Sequence, residues 1–389
     1  MNLKILHYTG VYAPAWKWGG PPRSSANLAE GAIALGHSVT VFTTNAGLEN
    51  DPEIPTDRPV LRNGVKVHYF PARTNFLGLQ SEPLEAAVRE RVREFDVVHI
   101  TGVWQPTSVA ACRACELAGI PYIVSPRGAL SPYSFTQKPW KKWPFWWLRE
   151  RRNCDLATAI HYTSVMEKRE CVRLKLMAKA FVVPNAIDLS AWTHDADAGQ
   201  AWRASLGRQE VSTEAKILLY AGRQHHKKGL DLLPGALSGL TGVNWHLVLL
   251  GEDEDGSGSA LAAAMAERSL GGRVTFLPAT GSSGLRAAYS GANLFLLPSR
   301  HENFGNVAIE ALACGCPVLL SDGVGVADQV LDLAGVEVAA RDAVLWGKAL
   351  DKALATPNSP RRDEIMARFS IEVVAGAMCA IYEELHLNA

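Results

Sequence analysis

Residues 294 to 322 read LFLLPSRHENFGNVAIEALACGCPVLLSD. The apolar run that opens this stretch predicts a buried strand ending at Pro298, and a helix is predicted to begin near Gly305 or Asn306. The first turn of a helix carries backbone N–H groups without intrahelical partners, and its dipole favours negative charge. Because glycine lets the backbone approach a ligand closely, the stretch predicts an anion site at Gly305.

Two glutamates bracket the start of that predicted helix. Glu302 lies just before it, and Glu310 lies inside it, about 6 Å further along the axis than Asn306 at about 1.5 Å per residue. Carboxylates only accept hydrogen bonds and therefore suit sugar hydroxyls, which are donors. We expect one carboxylate on each side of a bound diphosphate.

A second stretch, KILLYAGRQHHKKGLDLL (216 to 233), places cations after a predicted strand. Arg223 follows the strand directly, and Lys228 precedes Gly229 and the next helix. Two permanent positive charges at a strand end oppose the charge of a diphosphate. Lys227 is the alternative to Lys228.

Apolar β-rich runs alternate with helical stretches along the whole chain, which is the pattern of parallel βα units. The predicted strands cover residues 4–10, 39–44, 65–70, 96–101, 121–126, 159–164 and 180–185 in the first half, and 216–222, 245–251, 273–278, 294–299 and 317–322 in the second. We therefore predict an α/β protein of two doubly wound, Rossmann-like domains facing across a cleft. Ligands of such sheets bind beyond the carboxyl ends of the strands.

The predicted domains are residues 1–186, residues 187–365 and a C-terminal segment, 366–389, whose helix returns to the first domain. The polar segment from Ser190 to Glu214 is predicted to be a loosely structured connection with one helix. No GxGxxG follows the first strand, which continues as TGVYAPAWKWGGPP (9 to 22). This absence argues against a dinucleotide-dependent oxidoreductase.

Composition excludes several classes of function. Lys plus Arg and Asp plus Glu both number 39 in 389 residues, so no overall field attracts nucleic acid. The start of the chain has no signal-peptide pattern, and no run reaches the roughly 18 apolar residues of a membrane span, so we expect a cytoplasmic protein. Seven scattered cysteines indicate reduced thiols, and the pairs Cys112/Cys115 and Cys314/Cys316 are interpreted as helix-packing residues rather than zinc ligands.

No metal site or cofactor is predicted. His225 and His226 are adjacent and are interpreted as loop residues, because neighbouring histidines do not readily converge on one ion. Asp253 and Asp255 lie in the Gly- and Ser-flanked loop GEDEDGSGS and are interpreted as a solvated turn.

The strand, loop, Glu-x7-Glu spacing and CGCPV turn of residues 294–322 together resemble family 4 of the GT-B glycosyltransferases. The resemblance implies transfer of a sugar from a nucleotide-sugar donor with retention of anomeric configuration. It implies that Arg223 and Lys228 hold the donor diphosphate, that Glu302 acts on the transferred sugar and that Glu310 holds the ribose. The implied donor-binding residues are Gly19, Gly20, Arg223, Lys228, Asn303, Phe304, Gly305, Asn306 and Glu310.

The first domain is expected to bind the acceptor. Its glycine pair Gly19-Gly20 and the run GHSVTV (36 to 41) match positions of the family, and Trp16 and Trp18 are candidates for stacking on acceptor sugar. The segments DVVHITGVWQP (96 to 106) and PYIVSPRGALSPYS (121 to 134) resemble a bacterial subgroup that builds cell-surface polysaccharides such as lipopolysaccharide, capsule or exopolysaccharide.

The acceptor-side catalytic residue departs from the family pattern. Many members have a histidine after the fifth strand, where this chain has Ser125-Pro126-Arg127-Gly128. Arg127 is the predicted substitute, and His99 and Trp104 are further candidates for contact with the acceptor.

Residues 138–152, KPWKKWPFWWLRERR, interleave six basic residues with four tryptophans. This composition is typical of an interfacial helix on anionic lipid, on the inner face of the cytoplasmic membrane. The alternative is a helix that packs its tryptophans into the first domain. Three other functions stay open for the whole chain: a sugar epimerase, a phosphorylase and a non-catalytic nucleotide-sugar binder.

Overall fold

The structure is a computed structural model that describes residues 1–75, 78–356 and 358–388. The chain divides into two compact units. Unit 1 comprises Met1–Ile187 together with the chain from Ser370 onward, and unit 2 comprises Asp188–Phe369.

The main sheet of unit 1 has eight strands in the order β10-β9-β8-β7-β1-β2-β4-β3, and β5 and β6 form a separate hairpin. All neighbours in the main sheet are parallel except β3 and β4. The strands are β1 (Lys4–Thr9), β2 (Ser38–Thr44), β3 (Val60–Arg62), β4 (Val65–Phe70), β5 (Arg73–Asn75), β6 (Gly78–Gln80), β7 (Val97–Thr101), β8 (Tyr122–Ser125), β9 (Ala159–Tyr162) and β10 (Lys179–Val182).

Helices cover both faces of this sheet, which is why its strands are apolar on both sides. Along β1, for example, Ile5 belongs to the core on one face, and Leu6 and Tyr8 belong to the core on the other. The helices are α1 (Gly20–Ala34), α2 (Glu82–Arg91), α3 (Pro106–Ala118), α4 (Pro132–Thr136), α5 (Pro139–Phe145), α6 (Arg151–Asp155) and α7 (Val165–Cys171), and a π-helical turn (Trp146–Glu150) joins α5 to α6.

Unit 2 has one parallel sheet of six strands in the order β13-β12-β11-β14-β15-β16. Its strands are β11 (Lys216–Ala221), β12 (Trp245–Leu250), β13 (Val274–Leu277), β14 (Leu294–Leu297), β15 (Val318–Ser321) and β16 (Val336–Ala339). Its helices are α8 (Ala196–Ser205), α9 (Leu233–Ser238), α10 (Ser257–Glu267), α11 (Ser282–Gly291), α12 (Asn306–Ala313), α13 (Ala327–Val330), α14 (Ala343–Ala355) and α15 (Arg362–Phe369).

The last helix of the chain, α16 (Ile371–Leu387), belongs to unit 1. It packs on α1, and its buried side chains Met378 and Tyr382 join the core of that unit. The prediction placed its start at 366, but residues 366–369 end a separate helix, α15, of unit 2. The Ser370 hydroxyl accepts a hydrogen bond from the Val373 N–H and caps α16, so the new helix begins only after that residue.

The predicted connection Ser190–Glu214 is wrong in one respect, because most of it is packed into unit 2. Helix α8 lies against α11, and Trp192 is buried with its ring 5.9 Å from that of Tyr289. The Arg203 guanidinium donates hydrogen bonds to Gly291 O at 2.9 Å and to Asn293 Oδ1 at 3.0 Å.

All seven cysteines are buried free thiols, as the sequence indicated. Among the described residues, no helix combines the length and the apolar character needed to cross a membrane.

Candidate functional site

In each of the two large sheets, the chain first adds strands on one side of the sheet's first strand and later adds strands on its other side. In unit 2, β11 lies between β12 and β14, so the loops after β11 and β14 leave the same edge on opposite sides. This switch point is where doubly wound sheets bind ligands. The loop after β11 carries Arg223 and Lys228, and the loop after β14 carries Glu302 and Gly305.

The structure brings Lys228 and Glu302 into direct contact, as the ammonium nitrogen donates to Glu302 Oε2. Lys228 ends a short 3-10 turn, His226–Lys228, and Gly229 follows with φ of 67°. A Cβ atom at Gly229 would clash with the Pro298 carbonyl oxygen, so only glycine lets the two loops meet this closely. The Arg300 N–H also donates to Lys227 O at 2.8 Å.

Arg341 fastens the same two loops together and was not foreseen from the sequence. It follows β16, and its Nε donates to Pro298 O at 2.8 Å while its Nη2 donates to Gly229 O at 3.2 Å. Strand β16 was not predicted from the sequence, so no local pattern marked Arg341 for this role.

Glu302 is held by its backbone as well as by its side chain. Its N–H donates to Gly323 O at 2.8 Å, and its carbonyl accepts from the Gly325 N–H at 2.8 Å. Burial raises the pKa of its carboxyl, but the charge and hydrogen bond of Lys228 outweigh this effect, and the net pKa lies below the ordinary value. Glu302 is therefore an ionised, oriented acceptor.

Helix α12 begins next to this carboxylate. Its cap residue, Gly305, has φ of 103°, and a Cβ atom there would lie 2.9 Å from Val324 Cγ1. Gly305 provides no side-chain cap for the first-turn N–H groups of the helix, and its carbonyl accepts from the Ala308 N–H at 3.0 Å. Phe304 is buried, and its carbonyl accepts from the Val326 N–H, which fixes the loop before the helix.

Glu310 occupies different surroundings although it lies on the same helix. It is buried, and it raises the pKa of the Tyr289 hydroxyl on α11, an effect second to the burial of that hydroxyl. The structure thus separates Glu302, beside a cation, from Glu310, inside the helix layer. Asn303 and Asn306 are half-buried on either side of Gly305.

Arg223 lies on the same loop as Lys228, and its guanidinium pairs with Glu254 at 2.7 Å. The arginine side chain is 71% exposed, so the pair is screened by solvent and weak. Burial lowers the pKa of Lys227; the charge of Glu302 opposes this effect, and the positive charges of Lys228 and Arg223 add to it.

A cavity of about 410 Å³ adjoins Gln224, the chain neighbour of Arg223, at the carboxyl ends of β11, β12 and β13. The sequence analysis did not find it, because its lining comes from short stretches of the loops after β11 and β12, of helix α10 and of the end of β13. Its walls include Gln224, Gly251, Asp253, Ser259 and Phe276.

The loop histidines are closer together than the sequence argument assumed. Ligating atoms of His225, His226 and Asp255 lie within 4.8 Å of one another, and His226 Nδ1 is 3.0 Å from Asp255 Oδ2. The reasoning that adjacent histidines do not converge was therefore wrong, since the extended backbone of His225 turns both rings toward one carboxylate. Asp255 also accepts from the Ser257 N–H and hydroxyl, and Asp253 from the Gly258 and Ser259 N–H groups, so both aspartates order the turn before α10.

In unit 1 the switch point lies between β1 and β7. The loop after β1 ends in a 3-10 turn, Trp16–Trp18, and Gly19, with φ of 86°, leads into α1 at Gly20. Both tryptophans are about half exposed, and the Trp18 indole N–H donates to Ala46 O at 3.2 Å. This exposure leaves both rings available for contact with a ligand.

The prediction that His99 contacts the acceptor is wrong. His99 is fully buried on β7, stacked on His7, and its Nδ1 is 2.6 Å from the Tyr382 hydroxyl of α16. His161 lies on its other side, 3.4 Å away. Burial lowers the pKa of His7 and of His161 to about 3, so these rings are neutral core residues.

Arg127 and Trp104 follow the carboxyl ends of β8 and β7. Arg127 has φ of 54°, donates to Asn185 Oδ1, and has its pKa lowered by burial although it stays charged. The Trp104 indole N–H donates to Ala129 O at 2.7 Å, and its ring packs edge-on against Phe135. Both side chains are half-buried.

Residues 138–152 bury one tryptophan and expose others. Trp146 is buried and packs against Phe135, as a core residue does. Trp140 and Trp147 are 63% and 62% exposed, and Leu148 is exposed as well. A π-helical turn at Trp146–Glu150 follows α5 in this run.

Two family models match the chain, one on each unit. "Glycosyl transferase 4-like domain" matches residues 19–186, and "Glycosyl transferases group 1" matches residues 204–368.

Curated relatives are also glycosyltransferases. The GDP-mannose:cellobiosyl-diphosphopolyprenol alpha-mannosyltransferase of Xanthomonas campestris is 26% identical over 325 residues, which are 82% of this chain and 79% of the relative. The D-inositol 3-phosphate glycosyltransferase of Actinosynnema mirum is 35% identical over 190 residues, which are 46% of this chain and 44% of the relative.

Solved structures share the fold over almost the full length. Sucrose-phosphate synthase from Thermosynechococcus elongatus has a TM-score of 0.72 at 20% identity and covers 99% of this chain and 100% of that one. Anabaena HepE in complex with UDP has a TM-score of 0.74 at 16% identity and covers 98% and 100%. These matches confirm the predicted fold and the resemblance, and with one glycosyltransferase model on each unit this chain is an enzyme of glycosyltransferase family 4, with the GT-B fold of two Rossmann-like domains.

Proposed function

We propose that this enzyme transfers a sugar, with retention of configuration, from a nucleotide-sugar donor to a glycan or lipid-linked acceptor in the synthesis of a cell-surface polysaccharide. The Lys228–Glu302 pair beside the N-terminus of α12 is the observation that carries the proposal. It joins a cation for phosphate to an ionised acceptor for sugar hydroxyls at the switch point of one sheet.

In the proposed donor complex the diphosphate lies between Arg223, Lys228 and the first-turn N–H groups of α12. Negative charge grows on the diphosphate as the bond to the sugar breaks, so preorganised positive groups there stabilise the transition state. Glu302 then accepts hydrogen bonds from the transferred sugar and favours the positive character that the sugar gains.

The chemical step needs no protein nucleophile. The acceptor hydroxyl forms its bond to the anomeric carbon on the face that the nucleoside diphosphate leaves, and a phosphate oxygen of the leaving group takes the hydroxyl proton. The products are the glycoside and the protonated nucleoside diphosphate. The arginine, the lysine and the helix N-terminus carry the neutralising role, so we propose that no divalent metal is required.

The 410 Å³ cavity is the proposed site of the nucleoside base. Its wall includes Gln224, the chain neighbour of Arg223, and the partly exposed Phe276, which offers an aromatic face. The Gln224 amide donates to Gly251 O at 2.7 Å and so fixes the neighbouring part of the wall.

The acceptor proposal rests on unit 1. The Xanthomonas relative is named for a diphosphopolyprenol acceptor, and residues 138–152 of this chain expose tryptophans among basic residues. We propose that this segment holds the enzyme at the anionic inner face of the cytoplasmic membrane.

A thermal-shift screen of UDP-, GDP- and ADP-sugars tests the donor site, because a ligand that binds only the native state raises its stability. The donor that binds is then incubated with radiolabelled sugar and a membrane extract, with and without EDTA. We expect transfer of label to extractable lipid or glycan, unchanged by EDTA. Donor binding without transfer to any acceptor would contradict the catalytic proposal, and activity lost to EDTA and restored by manganese would contradict metal independence.

A further inference from the structure

Unit 1 contains a cavity of about 690 Å³ that the donor chemistry does not use. Helix α5 and the π-helical turn form one side of it, and the β5–β6 hairpin, through Thr74, Asn75 and Gly78, forms the other. The volume suits part of a lipid rather than a water or a simple ion.

Positive charge surrounds the cavity. Lys138, Lys141, Lys142 and Arg149 line it, and no Asp or Glu lines it among the residues that the structure describes. Lys142 is held in place, because its ammonium donates to the carbonyl and the hydroxyl of Ser134 at 2.7 Å each. An ammonium fixed in this way is oriented before a ligand arrives. Four cations in one lining indicate an anionic ligand.

The remaining wall is apolar. Trp140, Pro144, Phe145 and Leu148 contribute their side chains, and Trp104 joins them from the loop after β7. The Trp104 ring is fixed by its hydrogen bond to Ala129 O and by Phe135, so this part of the wall is rigid. A phosphate without a hydrocarbon chain would not contact the apolar wall, and a neutral hydrocarbon would not pair with the cations.

We propose that this cavity binds the phosphorylated end of a lipid: a phosphate or diphosphate ester of a long apolar alcohol, with the phosphate on the cations and the first part of the chain along the aromatic wall. The inference rests on the proposed function, since the occupant is the lipid-linked acceptor. It assigns acceptor specificity to a defined cavity rather than to the basic surface of residues 138–152 as a whole.

Two matched pairs of residues in and beside the π-helical turn make it possible to distinguish binding in the cavity from adhesion of the surrounding surface. Trp140 and Trp147 are equally exposed, but only Trp140 lines the cavity. Arg149 lines it, whereas Arg151 lies over the Trp147 ring and pairs with Asp155. Adhesion to a membrane would involve both members of each pair, whereas binding in the cavity would involve only one member.

The test is calorimetry of the full chain, in detergent-free buffer, with farnesyl diphosphate below its aggregation concentration, with farnesol and with inorganic diphosphate. We expect farnesyl diphosphate to bind at least about tenfold more tightly than farnesol or inorganic diphosphate, because farnesol lacks contact with the cations and inorganic diphosphate lacks contact with the apolar wall. Trp140→Ala and Arg149→Gln should each weaken it about tenfold, whereas Trp147→Ala and Arg151→Gln should change it less than twofold.

Three outcomes overturn the proposal: equal losses within each matched pair, inorganic diphosphate binding as tightly as farnesyl diphosphate, or no binding of farnesyl diphosphate by a chain that still binds a nucleoside diphosphate. The last result leaves the donor site and the proposed transfer intact. If farnesyl diphosphate binds as expected but no nucleotide sugar does, the lipid site stands and the proposed function fails instead. Circular dichroism of each variant checks that it is folded.

Discussion

Glu302 and Glu310 have the same side chain but different surroundings, and this difference assigns them different tasks. Glu302 pairs with Lys228 in front of α12, whereas Glu310 is buried within the helix layer. Sequence spacing alone makes them look equivalent. The pairing places Glu302 beside a cation that we propose binds the donor diphosphate, and so close to the proposed position of the transferred sugar.

We predict that Glu310→Gln weakens a nucleoside diphosphate as much as the intact nucleotide sugar, because its proposed contact is with the ribose. Glu302→Gln should leave the affinity for nucleoside diphosphate undiminished and should lower turnover by about 10² to 10³, the range for one preorganised electrostatic group. Calorimetry with the nucleoside diphosphate and initial rates with donor and acceptor give both quantities. Equal loss of diphosphate affinity in the two variants would show that the roles are divided wrongly.

Glu254 is a competitor for Arg223. The exposed pair contributes at most about 1 kcal/mol, but its carboxylate repels an incoming diphosphate. Glu254→Gln should therefore tighten nucleoside diphosphate binding about two- to fivefold at low salt, with a smaller gain at 0.3 M salt because exposed charges are screened. Titrations at the two salt concentrations measure this. Weaker binding in the variant would mean that Glu254 instead holds Arg223 in its binding position.

At the scale of residues, sequence reasoning succeeded where the neighbours in the chain define the environment. Lys228 directly precedes Gly229, Glu302 lies three residues before Gly305, and each lies in the loop after a predicted strand; the structure brings the two side chains together. The prediction for His99 failed because Tyr382, whose hydroxyl contacts the buried His99 ring, lies 283 residues away in the chain. Arg341 was missed for the same reason, since its partners Pro298 and Gly229 are remote in sequence.

The start of α12 is the element on which the donor site depends. Gly305 adopts φ of 103°, which strains any residue with a side chain, and Val324 occupies the space that a Cβ atom would need. We predict that Gly305→Ala lowers the free energy of unfolding by about 1–3 kcal/mol and weakens nucleoside diphosphate binding. Gly272→Ala is the matched control in unit 2, because a Cβ atom there meets open space at an ordinary φ. Urea unfolding and calorimetry measure the two effects, and a neutral result for Gly305→Ala would contradict this account of the helix start.

The elements themselves were largely predictable. Every predicted strand run coincides with an observed strand, and most of these strands are buried on both faces and are therefore apolar along most of their length. The strands missed were β3, β5, β6 and β16, which have three or four residues each and are only partly buried or exposed. The three-residue strands β3, β5 and β6 are too short to give a periodic apolar signal.

For the molecule as a whole, one buried acid links stability to pH. Glu150 ends the π-helical turn, is 1% exposed, and its Oε2 has no hydrogen-bond partner among the described residues. Burial raises its pKa from 4.5 to about 7, and a hydrogen bond from the backbone N–H of Trp104 offsets this rise only in part. Because the folded state keeps the proton that the unfolded state loses, Glu150 costs stability as the pH rises from 4.5 to about 7, and the cost is constant above that.

We predict that Glu150→Gln removes this dependence. The variant should gain stability over the wild type as the pH rises, by up to about 1.4 kcal/mol per pH unit between pH 4.5 and 7, and the gain should level off above pH 7. Urea unfolding of both proteins at pH 5, 6, 7 and 8 gives the difference, in which other titrating groups cancel. A difference that does not change with pH would show that Glu150 is ionised throughout this range in the folded protein.

The account as a whole depends on one claim: the carboxyl edge of the unit 2 sheet binds the diphosphate of a nucleotide sugar. Calorimetric titration of the nucleoside diphosphate selected by the screen, into wild type, Arg223→Gln, Lys228→Gln and Lys216→Gln, tests it most directly. Lys216 is the matched control, because it is an exposed cation at the opposite end of the same strand, β11. The account predicts that the first two substitutions each weaken binding at least about tenfold, as expected for loss of a charge-assisted hydrogen bond, and that the third changes it less than twofold. Equal affinities in all four proteins would contradict it.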